Sequence, residues 1–339
     1  MCLSVFIFLV FYNAFFTALW HLDKQTLHNQ QLSQQQRKTM WLNRQIGQSL
    51  REEYAIKDKI LDVRSEHILE LFRTEELGQI ALFDECEVMV EKHIHIESEI
   101  VAHIGACVLQ DRLEIEPNPL PQNPQDSHNL QTPQTTQNLN EQNTQQTPAI
   151  IPHNALILGG FNLEIPYQLF KHNMPTCFVQ SDSKVLDSLI SFLPHFSEVR
   201  KNPLFSHYQK AIDLPLQKYS LIIHARTPNS HEIDGLARLM KKEGVFIASL
   251  PHPLFEEREF EIALREFGGF FSIVMPFFVP IFSHKAFVFA SKGIHPLADF
   301  WLQKCDMLEN LTYYNSSIHE AAFALSADME RKYATLIKS

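Results

Sequence analysis

The stretch NALILGGFNLEIPYQLFKH, residues 154–172, decides how the rest of the chain is read. An apolar strand, Ala155 to Leu158, runs into Gly159-Gly160, and an amphipathic helix follows. This is how a nucleotide-binding βα unit opens, with glycines that let a ligand approach the backbone closely. Such a turn usually continues with more glycine and an acid, but here Phe161, Asn162 and Leu163 stand instead. The pattern announces a nucleotide fold without the charge expected at its turn.

Outward from that unit, strands and helices alternate from Ile150 onward. The apolar runs ALILGG, TCFVQSD, YSLIIHA and GVFIASL are separated by helical stretches such as KVLDSLISFL and IDGLARLMKKE. Alternation of this kind predicts an α/β fold, a mostly parallel sheet with helices on both faces. Lys241 to Gly244 read as a helix end and a turn. FFSIVMPFFVP and AFVFASK then read as an antiparallel hairpin at the sheet edge, and FGGFF (267–271) as a turn between helix and strand. A ligand in such a sheet lies beyond the carboxyl ends of the strands. Gly159-Gly160, Gln180 and the run from His224 to Pro228 are therefore expected around one crevice.

Upstream, residues 40–95 alternate apolar with polar positions, as the half-buried strands of a small antiparallel β domain do. Residues 96–339 form the larger domain. It begins with the helical spacing of ESEIVAHIGACVL (97–109) and is interrupted at 117–148 by a tract of Pro, Gln, Asn and Thr. That tract has too little apolar surface to offset the entropy of ordering and is expected to be disordered. Residues 1–39 are an extension, apolar over 2–20 and then Gln-rich. Its apolar part is long enough to span a bilayer, so a membrane contact is expected only if it is a real anchor. The preferred reading is a start set too far upstream, with Met40 as the natural beginning.

Composition narrows the function. The chain has 339 residues, 45% of them hydrophobic, and a formal net charge of −10, which leaves no generic basic footprint for nucleic acid. Cys2, Cys86, Cys107, Cys177 and Cys305 are scattered and contain no C-x-x-C pair, so neither a disulfide framework nor a zinc knuckle is indicated. A reducing cytoplasm is the expected compartment.

Several pieces, in order, resemble the polyamine aminopropyltransferases, the spermidine synthases. YYNSSIHEAAFALS (313–326) is similar to that family's closing YYN-x-x-IH-x-A-x-FALP, and ESEIVAH (97–103) to its YHEMLAH. ALILGGFN stands where the family carries VLIIGGGDG, CFVQSD where it carries LVEID, YSLIIHARTP where it carries FDVIIVDSSDP, and KKEGVFIAS where it carries LKPGGVFV. The resemblance runs from about Met40 to the end without the insertion, and the short start matches a divergent bacterial branch. It implies a Rossmann-like, methyltransferase-type fold behind the β domain, and a homodimer or homotetramer. The implied reaction moves an aminopropyl group from decarboxylated S-adenosylmethionine, a co-substrate, to putrescine. The products are spermidine and methylthioadenosine, and no cofactor is required.

Residue by residue, the resemblance implies nucleoside binding by Gly159, Gly160, Asn162, Gln180, Asp182 and Gln209. Polyamine binding falls to Glu97, Glu99, His103, Thr227 and Lys285. The family's catalytic carboxylate aligns with Ala225, so the base is unassigned, with Glu97, Glu99 and Asp234 as candidates and Glu232 beside the last. Losing acids matters, because a carboxylate near an ammonium is worth on the order of 1 kcal/mol at about 4 Å in water and more when desolvated. Two further readings stand beside the first: a non-catalytic binder of nucleosides or polyamines, and a transferase with a different acceptor amine. His224 beside Arg226 reads either as a base with an anion clamp or as a buried His with a loop Arg. HIHIESEIVAH also spells a metal-like pattern, His93 and His95 pointing the same way from a strand. The resemblance accounts for it without a metal, and none is expected.

Overall fold

The computed structural model describes residues 40–48, 50–110, 152–281 and 285–339. The extension at 1–39 and the tract at 117–148 lie outside the described residues.

The chain opens with β1 (Met40–Ile46) and β2 (Leu50–Ile56), which pair antiparallel as a two-stranded sheet. β3 (Asp58–Arg64), β4 (Ile68–Arg73), β5 (Gln79–Phe83) and β6 (Glu87–Val90) follow as a four-stranded antiparallel meander. Side chains alternate across a strand, and the meander buries both faces. Leu69, Leu71, Ala81, Phe83 and Met89 join the main core, while Phe72, Ile80, Leu82 and Val88 form a separate cluster with Ile56.

Helix α1 (Ile94–Ala106) carries the chain into the larger sheet. Helices and strands then alternate: β7 (Ala155–Leu158), α2 (Glu164–Phe170), β8 (Thr176–Val179), α3 (Ser183–Asp187), α4 (Phe196–Lys201), β9 (Phe205–Tyr208), β10 (Tyr219–His224), α5 (Ser230–Leu239), β11 (Met240–Leu250), α6 (Glu257–Gly268), β12 (Ile273–Phe278) and β13 (Ala286–Ser291). The chain closes with α7 (Leu302–Asp306), α8 (Ser316–Ala322) and α9 (Ala327–Tyr333). The strands form one sheet in the order β12-β13-β11-β10-β7-β8-β9, with β12 and β13 antiparallel and the rest parallel.

Period-two alternation divides its buried residues between two cores. Ala155, Ile157, Leu221, Ile223, Val245, Ile247 and Phe289 pack on the α1 side. Leu156, Ile222, Phe246, Ala248, Val288 and Ala290 pack under α5, α6 and α9 through Ile233, Leu236, Phe260, Leu264, Phe267 and Tyr333. The edge strand β12 does not end the hydrogen bonding, since Val274 and Lys338 exchange backbone bonds of 2.8 and 3.0 Å. The C-terminal tail thus covers backbone groups that would otherwise invite a foreign strand.

Two local expectations change. Lys241 to Gly244 are not a helix end but part of β11, where the register against β10 shifts between Tyr219 and Leu221. His93 and His95 do not lie on a strand. His93 ends a 3-10 turn and His95 lies in α1, so neighbours two apart do not share a face.

Strand order reverses between β7 and β10, whose ends meet where Leu158 pairs with His224. That switch point is where an open sheet of this kind leaves room for a ligand.

Candidate active site

The glycine turn sits at the switch point, and its backbone explains its sequence. Gly159 has φ of +79°, a left-handed conformation that favours glycine. A Cβ on Gly160 would come within 2.6 Å of the Ala225 methyl. The glycines therefore serve the packing of the β7 turn on the end of β10.

The amides of this turn are occupied within the chain. Asn162 donates from Nδ2 to Ser98 Oγ at 3.0 Å and accepts at Oδ1 from Glu164 N at 3.0 Å. Gln180 donates to the Gly160 carbonyl at 3.1 Å and accepts from Asp182 N at 3.0 Å. Asp182 caps α3 through Val185 N at 3.1 Å and accepts from His67 N at 2.9 Å. Those backbone donors hold its carboxyl below the ordinary range against the opposing effect of burial, which is the largest single influence. Gln209 is exposed and donates to Ser183 Oγ at 3.1 Å. The β3–β4 loop lies over this end of the sheet: His67 meets the Phe161 ring edge-on at 5.2 Å, and Phe83 stacks on it at 4.9 Å.

Open space and charge lie next to the turn, beneath the N-terminal sheets. A cleft of about 270 Å³ is lined by residues including Arg44, Glu52, Tyr54, His93, Glu97 and Lys285, and it reaches Asn162. A smaller cavity of about 20 Å³ lies between Glu87, Glu97, Gly160, Phe161, Asn162, His224 and Ala225. The two share Met89, Glu97 and Asn162.

Within the cleft, Glu52 accepts from Arg44 at 3.2 Å and from the Tyr54 hydroxyl at 2.8 Å. Burial and that neighbouring carboxylate push the Tyr54 phenol up to about 12. Lys285 pairs with Glu97. Burial raises the Glu87 carboxyl and Glu97 adds to the rise, while Lys285, Arg226 and Arg44 oppose it. Burial depresses His224, and its Nδ1 lies 2.8 Å from the Arg226 carbonyl.

The other residues singled out from sequence fall elsewhere. Glu99 is 1% exposed and does not reach the cleft. Its oxygens accept from Thr312 N and Oγ1 at 3.0 Å and from Tyr313 N and Tyr314 N at 2.8 Å. His103 is buried, 2.9 Å from His172 Nε2 and beside the Tyr314 ring. Asp234 faces solvent on α5, held by Arg238 one turn on at 2.6 Å. Glu232 belongs to the capping box of that helix. Thr227 donates to the Ser249 carbonyl at 3.0 Å. Of the polyamine candidates, Glu97 and Lys285 are the ones that line the cleft.

Sequence reading passed over Glu52 and Glu87. Both begin or occupy strands whose polar residues read as solvent-facing, and a two-residue left-handed turn at Asp84-Glu85 fixes where Glu87 enters β6. No group of three or more His, Cys, Asp or Glu among the described residues is arranged to hold a metal ion.

Residues 144–300 match the family model of the spermine/spermidine synthase domain. The polyamine aminopropyltransferase of Helicobacter pylori (strain HPAG1) is 39% identical over 303 residues, covering 88% of this chain and 100% of the relative. That of Helicobacter acinonychis (strain Sheeba) is 40% identical with the same coverage, and that of Alkaliphilus metalliredigens (strain QYMF) 24% identical over 84% of this chain and 95% of the relative. Among solved structures, spermidine synthase from Thermotoga maritima aligns with a TM-score of 0.69 at 18% identity, over 87% of this chain and 94% of that chain. A spermidine synthase in complex with the transition-state analogue AdoDATO aligns equally well. With near-full coverage at this identity, and with the fold matched, the chain belongs to the spermine/spermidine synthase family of polyamine aminopropyltransferases.

Proposed function

We propose that this enzyme transfers the aminopropyl group of decarboxylated S-adenosylmethionine to putrescine, yielding spermidine and methylthioadenosine. One observation carries the reading to the site: Glu52, Glu87 and Glu97 line contiguous cavities at the switch point of a chain of this family. Both substrates are cations, and carboxylates in a partly desolvated cleft attract them far more strongly than in water. The reaction is an in-line displacement. The amine lone pair forms the new N–C bond, the C–S bond breaks, and its electron pair neutralises the sulfonium. Holding the two reactants in line supplies much of the acceleration. No resident cofactor enters these steps.

A second reading, an acceptor less cationic than putrescine, is favoured by the pairing of Glu52 with Arg44 and of Glu97 with Lys285, which offsets two of the three carboxylates. A cytoplasmic setting agrees with Cys86, Cys107, Cys177 and Cys305 being free thiols. No helix among the described residues is long and apolar enough to cross a membrane. Assembly as a homodimer or homotetramer is supported by Met40 and Trp41 of β1, which are 50% and 57% exposed.

The test is turnover of the full chain with decarboxylated S-adenosylmethionine and putrescine. Methylthioadenosine and spermidine formed one to one are the expected result. A folded chain that binds methylthioadenosine and makes no spermidine would overturn the assignment, and turnover with another amine from a panel would establish the second reading.

A further inference from the structure

The small cavity at the end of β10 holds a carboxylate with no assigned part in the chemistry. Glu87 opens β6 directly across the ladder from Phe83, so the two side chains leave the sheet on one face. Phe83 stacks on Phe161, beside Gly160. Glu87 is thereby delivered from the N-terminal sheet to a cavity whose far wall is Gly160, His224 and Ala225. At about 20 Å³ the cavity has room for roughly one water-sized group, the size of a primary amino group.

The charged and titratable groups around it are largely committed. Arg44 and Tyr54 hold Glu52, Lys285 holds Glu97, and His224 is tied through Nδ1 to the Arg226 backbone. Lys285, Glu97, Arg226 and Arg44 act on Glu87 through space, from the segment before β13, from α1, from the loop after β10 and from β1. Among the described residues no hydrogen bond reaches the Glu87 carboxylate.

We propose that Glu87 is the catalytic proton acceptor, taking the proton from the attacking amine as aminopropyl transfer proceeds. The inference rests on the function proposed above. As the nitrogen lone pair forms the N–C bond and the C–S pair passes to sulfur, the proton on nitrogen moves to a Glu87 oxygen. Burial makes this carboxylate more basic than an exposed one, which suits it to the task.

The experiment is a pH profile of kcat and kcat/KM for the full chain and for Glu87→Gln and Glu87→Asp, with methylthioadenosine affinity measured alongside. Glu87→Gln should lower kcat about 100-fold or more and abolish the acid limb, with methylthioadenosine affinity within about threefold of the unmodified chain. Glu87→Asp should retain the limb at reduced rate. If the amide variant folds poorly, the unmodified chain decides, its acid limb expected above the usual carboxylate range of about 4. An intact limb with kcat within about threefold in Glu87→Gln overturns the proposal. So does a limb that persists there and vanishes in His224→Gln, and so does an unmodified chain whose kcat shows no acid limb. An unmodified chain that binds methylthioadenosine yet turns over no amine overturns the functional assignment, and this proposal with it.

Discussion

The glycine turn and the neighbouring cleft share Asn162 and use their polar groups in opposite ways. At the turn, Asn162, Gln180 and Asp182 spend their polar atoms on Ser98, Glu164, Gly160, His67 and Val185. Around the cleft and the small cavity beside it, Glu52 pairs with Arg44 and Glu97 with Lys285, yet these four and Glu87 also line open volume. The motif that announces a nucleotide fold has its amides engaged within the chain. The carboxylates that line open volume come from the N-terminal sheets and the first turn of α1.

Helix α1 offers the sharpest break of this comparison, because Glu97 and Glu99 lie two residues apart and on opposite sides of it. Glu99→Ala strands the buried donors of Thr312, Tyr313 and Tyr314, each worth about 1–3 kcal/mol when unsatisfied, so a loss of about 3 kcal/mol or more is expected by chemical denaturation. Glu97→Ala, whose partly exposed pair contributes little, should cost within about 1 kcal/mol. Equal losses would erase the distinction.

Acid should attack the closed regions. Burial depresses His319 to about 4 and His172 to about 3, from 6.5. Between 6.5 and those values the unfolded chain binds protons that the folded chain does not, so stability is full above 6.5 and falls with pH through that window. His319 alone accounts for up to about 3 kcal/mol by pH 4. A denaturation midpoint that stays flat from pH 6.5 to 4 would show these rings to be accessible.

A smaller effect sharpens the reading of the turn. Gly160→Ala places a methyl against Ala225 and should cost about 1–3 kcal/mol. Ala225→Gly should recover part of that loss in the double variant, as additivity fails for residues in contact. Full additivity would mean that the glycine is required for something other than this packing.

Much of the architecture was legible because it is local. The runs at Ala155–Leu158 and Tyr219–His224 are short, apolar and bounded by turn residues, and the hairpin of β12 and β13 follows from two adjacent apolar stretches. The fate of Glu99 was not legible, since it depends on Thr312, 213 residues away. Nor was that of Asp234, whose place after a strand end looked promising until its helix turned it toward Arg238. Glu87 was hidden for a different reason. A carboxylate at the start of an edge strand reads as solvated, and only the cavity it shares with His224 and Ala225 at the end of β10 leaves it half-buried. His93 and His95 misled because the helix begins at Ile94, three residues before the helical spacing read from Glu97, with a 3-10 turn over Glu91–His93 ahead of it.

We propose that substrate-directed charge resides in the cleft and not at the glycine turn. This is tested most directly by measuring kcat/KM for putrescine and the melting temperature of Glu97→Gln beside Gln180→Leu. Glu97→Gln is expected to lose about tenfold or more in kcat/KM with little change in melting temperature, one carboxylate in a partly desolvated site being worth about 1.4 kcal/mol or more. Gln180→Leu should lose melting temperature through its broken bonds to Gly160 and Asp182. Unchanged kcat/KM in Glu97→Gln, with a collapse confined to Gln180→Leu at full stability, would contradict it.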